Sequence, residues 1–187
     1  MGRCITTYGG TRFDPMDPRP EDLHIGDIAH ALSLLCRGNG HVHTFWSVGR
    51  HCLCCAREAM ARGFTPRTAL ACLLHDASEA YLSDVPSPFK DRMPVYRALE
   101  ERLMDMVYGR FLGSPLTAEE ARLVKGIDRD MLWHDLNDLL PGSEPEGPPP
   151  PLELPVDRAW RPFADVEREY LGLFRELSGR MDRRGGA

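Results

Sequence analysis

Leu73-Leu74-His75-Asp76-Ala77-Ser78-Glu79-Ala80-Tyr81 sets a histidine and an aspartate side by side in an apolar run, with a carboxylate one helical turn later. The lead-in Ala69, Leu70, Ala71, Cys72, Leu73 and Leu74 reads as a helix buried all round. Groups with strong charge demands rarely sit in such a run unless they are paired or bound to a metal. On a helix His75 and Glu79 are spaced i, i+4 and Asp76 and Glu79 i, i+3, so Glu79 reaches the space beside the pair. Neighbouring side chains diverge by about 100°, so a metal shared by His75 and Asp76 would sit off one edge of the helix and need ligands from other segments.

Outward from this stretch the pattern is helical. Thr65-Pro66 supplies a cap and a proline at the first position, so the helix carrying the pair runs from Pro66 to about Leu82. Before it, a helix from about Thr44 to Arg62 points Phe45, Val48, Cys52, Cys55 and Ala59 inward, with His51 among them, and Gly63 stops it. An earlier helix spans about Asp22 to Cys36 and ends at Arg37-Gly38-Asn39-Gly40. Residues 1–20 read as an irregular arm. After the pair, the proline-containing loop Ser83 to Lys90 holds Asp84 and Lys90 close to the Glu79 turn. Further helices are expected at about Pro94 to Phe111 and, opened by a Thr117/Glu120 capping box, at about Thr117 to Leu139. Of the acids on that last helix, Asp128 lies beside Ile127 and Met131 and should face inward.

Seven prolines between Pro141 and Pro155 predict a stiff, extended linker over 141–155. A C-terminal helix within 156–180, about Arg161 to Leu177, should pack back on the same domain, and 181–187 should be a disordered tail. No strand pattern of useful length occurs. The expected class is all-α, a bundle of about six helices with its main body in 1–140.

Composition narrows the function. With 187 residues and 42% hydrophobic content the chain can bury a single core. Its net charge of −5 and lack of a basic stripe argue against stable nucleic-acid binding, though a nucleotide can still be held by a metal and a few Arg or Lys. No apolar run reaches membrane-spanning length and none resembles a signal peptide, so a cytoplasmic protein with reduced cysteines is expected. Cys52 and Cys55 form a C-x-x-C inside a helical pattern, without a second pair, and read as core-lining thiols rather than a redox centre. His30 reads as a packed histidine, and His41 and His43 as a loop pair with nothing nearby to complete a metal shell.

Three helices thus offer His51, then His75 and Asp76, then Asp128. A shell of two imidazoles and two carboxylates suits Mn, Fe, Co, Ni or Zn and is a poor match to Ca. Its open positions leave room for water and phosphate oxygens.

The order His, His-Asp, Asp on a helical chain resembles the HD-domain metal-dependent phosphohydrolases, over about residues 5–140. Within that superfamily it is most similar to the small bacterial 5′-deoxynucleotidases and the phage-type HD phosphohydrolases, including phage dATP triphosphohydrolases. Three stretches carry the likeness. They are Phe45-Trp46-Ser47-Val48-Gly49-Arg50-His51, then His75-Asp76-Ala77-Ser78-Glu79 with Asp84-Val85-Pro86-Ser87-Pro88-Phe89-Lys90, and Lys125-Gly126-Ile127-Asp128.

The resemblance implies a nucleotide phosphohydrolase acting on (deoxy)nucleoside mono- or triphosphates by attack of a metal-activated water on phosphorus. It implies one divalent transition metal per chain (Mn, Co, Ni, Zn or Fe), with Mg for a triphosphate substrate, held by His51, His75, Asp76 and Asp128. Glu79 would be the general acid/base and Asp84 would position the water or the sugar. Lys90 and Arg37 would face the phosphate. Where the deoxynucleotidases carry a tryptophan beside that arginine, this chain has Gly38, and Trp46 is the candidate to take over its role. Residues 77–127 contain no histidine, so a mononuclear site is favoured over a binuclear one. The resemblance also implies self-association into a homo-oligomer. The competing expectation is a non-catalytic HD module that binds a nucleotide and regulates; a redox protein built on Cys52 and Cys55 ranks lower.

Overall fold

The computed structural model describes residues 3–185. The chain is all-α apart from one small hairpin, in which β1 (Ile5–Thr6) pairs antiparallel with β2 (Arg12–Phe13). Eight α-helical segments come after it among the described residues. They are α1 (Ile25–Leu34), α2 (Val48–Ala61), α3 (Pro66–Leu74), α4 (Glu79–Leu82), α5 (Ser87–Lys90), α6 (Pro94–Leu112), α7 (Ala118–Leu139) and α8 (Phe163–Gly185). None is long and apolar enough to cross a membrane.

The centre of the bundle is α3. Every residue from Thr68 to Leu74 is buried, because Thr, Ala, Leu and Cys are apolar or small enough to be packed on all sides. It touches α2, α6, α7 and α8. The Thr65 hydroxyl accepts from the Thr68 amide at 3.1 Å and caps its start. On one flank α2 lies tight against α1. A Cβ on Gly49 would fall 3.1 Å from the Leu32 carbonyl carbon and oxygen, so a larger residue would push the two helices apart by a few tenths of an ångström. The capping box expected at Thr117 and Glu120 opens α7.

The structure departs from the sequence reading in several places. The helix carrying His75 and Asp76 does not run through to Leu82. α3 ends at Leu74, and His75 to Ser78 form a tighter turn in which the amides of Ala77 and Glu79 bond three residues back, to Leu74 and Asp76. The chain stays in right-handed helical angles at His75 and Ser78, so nothing in the residue pattern marks the change. The arm at 1–20 is not wholly irregular: its hairpin delivers Phe13, fully buried, to stack on Tyr81 at 4.2 Å. Finally, α8 continues through 181–185, where a disordered tail is expected from sequence. Residues 186–187 lie outside the described part.

Candidate metal centre

Helix α2, the turn after α3 and helix α7 converge on one point. Ser47 caps α2 through a bond from the Arg50 amide, fixing the first turn of the helix, on which His51 sits fully buried. His51 Nε2 lies 3.3 Å from His75 Nε2, 3.1 Å from Asp128 Oδ1 and 4.0 Å from Asp76 Oδ2. His75 Nε2 lies 3.3 Å from Asp76 Oδ2 and 3.4 Å from Asp128 Oδ1. Atoms held about 2.1 Å from one ion stand about 3.0 Å apart at right angles and about 3.4 Å apart at the tetrahedral angle. Four of these five separations fall in that range, and the fifth, 4.0 Å between His51 Nε2 and Asp76 Oδ2, corresponds to a wider angle at the ion.

The layer behind them fixes which ring nitrogens face inward. His51 Nδ1 is 2.8 Å from Asp135 Oδ2, and His75 Nδ1 is 2.7 Å from the Cys72 carbonyl. A carboxylate and a carbonyl only accept, so both Nδ1 atoms carry a proton, and Nε2 is the ring nitrogen that a neutral imidazole has left to offer a metal. The end of α3 explains the second of these bonds. The last carbonyls of a helix lack helical partners. Here Cys72 O is taken by the His75 ring, Leu73 O by the Tyr170 hydroxyl at 2.7 Å, and Leu74 O by the Ala77 amide. The helix end is satisfied by the same contacts that orient the ligand.

Four electron-rich atoms thus face one another. Burial would lower the His75 imidazole, but Asp76, Cys52 and Asp128 together outweigh it and lift it well above its ordinary range. Burial would raise the Asp128 carboxyl, but contacts from His51 and His75 hold it far below the carboxylate range. Both effects say that the cluster attracts positive charge. Thiols line its inner wall. Cys55 Sγ is 3.4 Å from His51 Nε2, and the ligand atoms of His51, Cys55 and His75, like those of Cys52, His75 and Asp76, lie within 4.8 Å of one another. The cysteines are buried, as the sequence suggested, yet they also border the cluster. Burial pushes the Cys52 thiol up to about 11 and Cys55 well above its usual value, so both keep their protons. A group of His, Cys and Asp side chains able to hold a metal is therefore present.

The two carboxylates of the cluster, Asp76 and Asp128, line a cavity of about 470 Å³. That lies within the roughly 300 to 1,000 Å³ of small-molecule pockets. One side is polar, with Arg37, Asp76, Glu79, Asp84, Lys90 and Asp128; the other is apolar, with residues such as Leu132, Leu136, Leu139 and Leu140. In the tight turn, residues three apart eclipse, which aims Asp76 and Glu79 into the same space. The Glu79 carboxyl is buried; its Oε2 has no hydrogen-bond partner and its Oε1 meets Lys90 Nζ only at 3.4 Å. Burial, with Asp76 and Asp84 nearby, pushes this carboxyl well above its usual range. Asp84 comes directly after Ser83, which holds φ 72° and ψ 157°, a region that side chains other than glycine rarely enter. Arg37 reaches Asp135 at 3.2 Å and Asp76 at 3.4 Å. A second cavity of about 390 Å³ opens on the other face and shares His75, Asp76, Lys90 and Asp128 with the cluster and its polar wall.

Other sequence candidates lie elsewhere. Trp46 does not line either cavity. It is fully buried, sandwiched between the guanidiniums of Arg50 and Arg158 at 4.1 and 4.4 Å from its ring centre. His30 is packed, bonding Glu167 and stacking on Tyr8. His43 bonds the Asp138 carbonyl at 2.8 Å, which ties its loop to α7. Asp135 is the contact that sequence reading passed over. It lies seven residues beyond Asp128, on the same face of α7, and that spacing is the signal that could have found it.

No protein-family model matches the chain. It is 33% identical over 135 residues to the uncharacterised protein YfdR of Escherichia coli (strain K12), covering 72% of this chain and 71% of YfdR. It is 34% identical over 187 residues to the uncharacterised protein RCAP_rcc00048 of Rhodobacter capsulatus, covering 91% of this chain and 95% of that protein. At this identity and coverage the chain belongs to the family that YfdR and RCAP_rcc00048 share.

Proposed function

We propose that the protein is a metal-dependent phosphohydrolase of the HD-domain type acting on nucleotides, (deoxy)nucleoside mono- or triphosphates. The observation that carries the reading is the pair of buried histidines whose Nδ1 protons are committed to Asp135 and the Cys72 carbonyl. Their Nε2 atoms converge with Asp76 and Asp128, the two carboxylates that line the cavity. His51, His75, Asp76 and Asp128 would hold one divalent transition metal (Mn, Co, Ni, Zn or Fe), with Mg serving alongside a triphosphate. Such an ion polarises phosphoryl oxygens and lowers the pKa of bound water toward neutrality.

The chain's own groups supply the rest. Arg37 and Lys90 bring positive charge to an otherwise acidic floor, where a phosphate would sit. Burial and the neighbouring Asp76 and Asp84 favour the protonated form of Glu79, which lines the cavity and can pass a proton to the leaving oxygen. Asp84 is aimed by the strained Ser83 and can orient the nucleophile or the sugar. The leucines of α7 form an apolar wall suited to the flat face of a base. A homo-oligomeric assembly is part of the same reading. A non-catalytic nucleotide-binding module gives no use to a buried, unpartnered Glu79 carboxyl beside the cluster.

The test is phosphate, pyrophosphate and triphosphate release from a panel of (d)NMPs and (d)NTPs. Metal-stripped protein would be refilled with Mn, Co, Ni, Zn or Mg, with Glu79→Gln as control. Turnover that needs metal and is lost in the variant supports the reading. No release from any nucleotide with metal shown to be bound rejects it in favour of the binding module.

A further inference from the structure

The proline-rich segment between α7 and α8 reads in sequence as a linker, but it is tied down along its length. Arg62 donates to the Pro151 carbonyl at 3.0 Å, and the amides of Glu153 and Leu154 donate to Glu58 at 2.9 and 3.2 Å. Arg50 donates to the carbonyls of Asp157 and Ala159. The segment is a strap across α2 and α7. Most of these anchors hold backbone to side chain and touch nothing in the metal centre.

Arg158 differs. Its Nη1 donates to Asp135 Oδ1 at 2.7 Å, while Nε and Nη2 both grip Asp138 Oδ2, at 3.1 and 3.0 Å. The other Asp135 oxygen accepts the His51 Nδ1 proton at 2.8 Å and faces Arg37 Nε at 3.2 Å. Asp135 is therefore a buried hub with one cation on each side and a metal-facing histidine in the middle. Arg158 also lies over Trp46, which directly precedes Ser47, the cap of the helix that carries His51. The strap reaches His51 by two routes, through its hydrogen-bond acceptor and through the start of its helix.

We propose that Arg158 is a positioning residue for the metal centre. It fixes the Asp135 carboxylate so that His51 keeps its proton on Nδ1 and offers Nε2 to the ion. The proposal rests on the metal-dependent reading of the site. Without Arg158 the Asp135 Oδ1 atom loses its donor in a buried setting, and the carboxylate can turn toward Arg37 and release the imidazole. Loss of such supporting contacts weakens metal binding by about 10–100-fold. A role confined to holding the strap predicts something else, namely that every anchor matters alike. Arg62 provides the contrast: it binds the strap at Pro151 and pairs with Glu58 and Asp130, away from Asp135.

The experiment is a Co(II) titration of the full-length, chelator-stripped protein, read by the visible ligand-field bands, with helicity checked by circular dichroism. Wild type, Arg158→Met, Arg158→Lys and Arg62→Met are compared. Arg158→Met should bind Co(II) about 10–100-fold more weakly, with altered bands, and Arg158→Lys should recover part of the loss. Arg62→Met should stay within about 3-fold of wild type, since it leaves Asp135 untouched. Wild-type affinity and bands in a folded Arg158→Met, or an equal loss in Arg62→Met, would overturn the proposal. If Arg158→Met does not fold, Arg158→Lys decides: bands and affinity like wild type refute it, and altered bands with weaker binding support it. Wild-type protein that takes up no Co(II) removes the metal reading itself, whereas normal uptake with an indifferent Arg158 removes only this inference.

Discussion

The two sides of the cavity floor are built in opposite ways. On the histidine side each ring N–H is committed, His51 to Asp135 and His75 to the Cys72 carbonyl, and Asp135 is itself held by Arg37 and Arg158. On the Glu79 side little is committed. One carboxyl oxygen has no partner, and the other meets Lys90 at 3.4 Å while Lys90 makes its short contact, 2.6 Å, with Glu100. Fixed lone pairs suit a cation that must stay, since preorganised groups need no rearrangement when it binds. A carboxyl without strong partners suits a group that must exchange a proton with a ligand. The contrast separates holding from transferring, and each half can be disturbed alone.

The largest effect should come from the fixed half. His51→Ala or Asp76→Ala should abolish metal uptake, measured by elemental analysis, and lower nucleotide hydrolysis by about 10³-fold or more, because the ion supplies several kcal/mol of transition-state stabilisation. Stripping the wild type with a chelator should have the same effect, and refilling should reverse it. Next comes the loose half. Glu79→Gln should keep metal affinity yet lower kcat by about 10²–10⁴-fold, the usual contribution of a positioned acid or base. A Glu79→Gln variant that loses its metal would erase the distinction between the two halves.

Asp135→Asn is a smaller change and sharper. The amide can present a donor to His51 Nδ1, which favours the wrong tautomer. Metal affinity by Co(II) titration should fall about 10–100-fold while the helical fold persists. The smallest effect is expected at Ser83, whose backbone favours glycine. Ser83→Gly should relieve strain of about 1 kcal/mol, raising Tm by about 2–4 °C in a thermal melt. Turnover should fall a few-fold as Asp84 loses its fixed direction.

How much of this could be read from residues alone depends on how local each signal is. The burial of α3 was legible because an uninterrupted apolar run can be satisfied only by packing on every side. His51 and Asp128 were legible from their apolar neighbours at helical spacing. The break after Leu74 was not, since the backbone stays helical and only the hydrogen-bond partners shift by one residue. Asp135 was hidden among four aspartates on one helix, and burial alone separates it from Asp138. Prolines say that the strap is extended, but its docking depends on Arg50, Glu58 and Arg62, which belong to α2 or come just after its last residue. Trp46 illustrates the same limit. An aromatic five residues before a candidate ligand suggests a binding platform, yet two distant arginines turn it into a strap anchor.

The most direct test of the central claim is the anomalous diffraction of crystals grown with Mn or Co. The account predicts one strong peak per chain, within about 2.0–2.3 Å of His51 Nε2, His75 Nε2 and one oxygen each of Asp76 and Asp128. A peak held by Cys52 or Cys55 in place of the carboxylates, or no peak within the cluster at saturating metal, would contradict it.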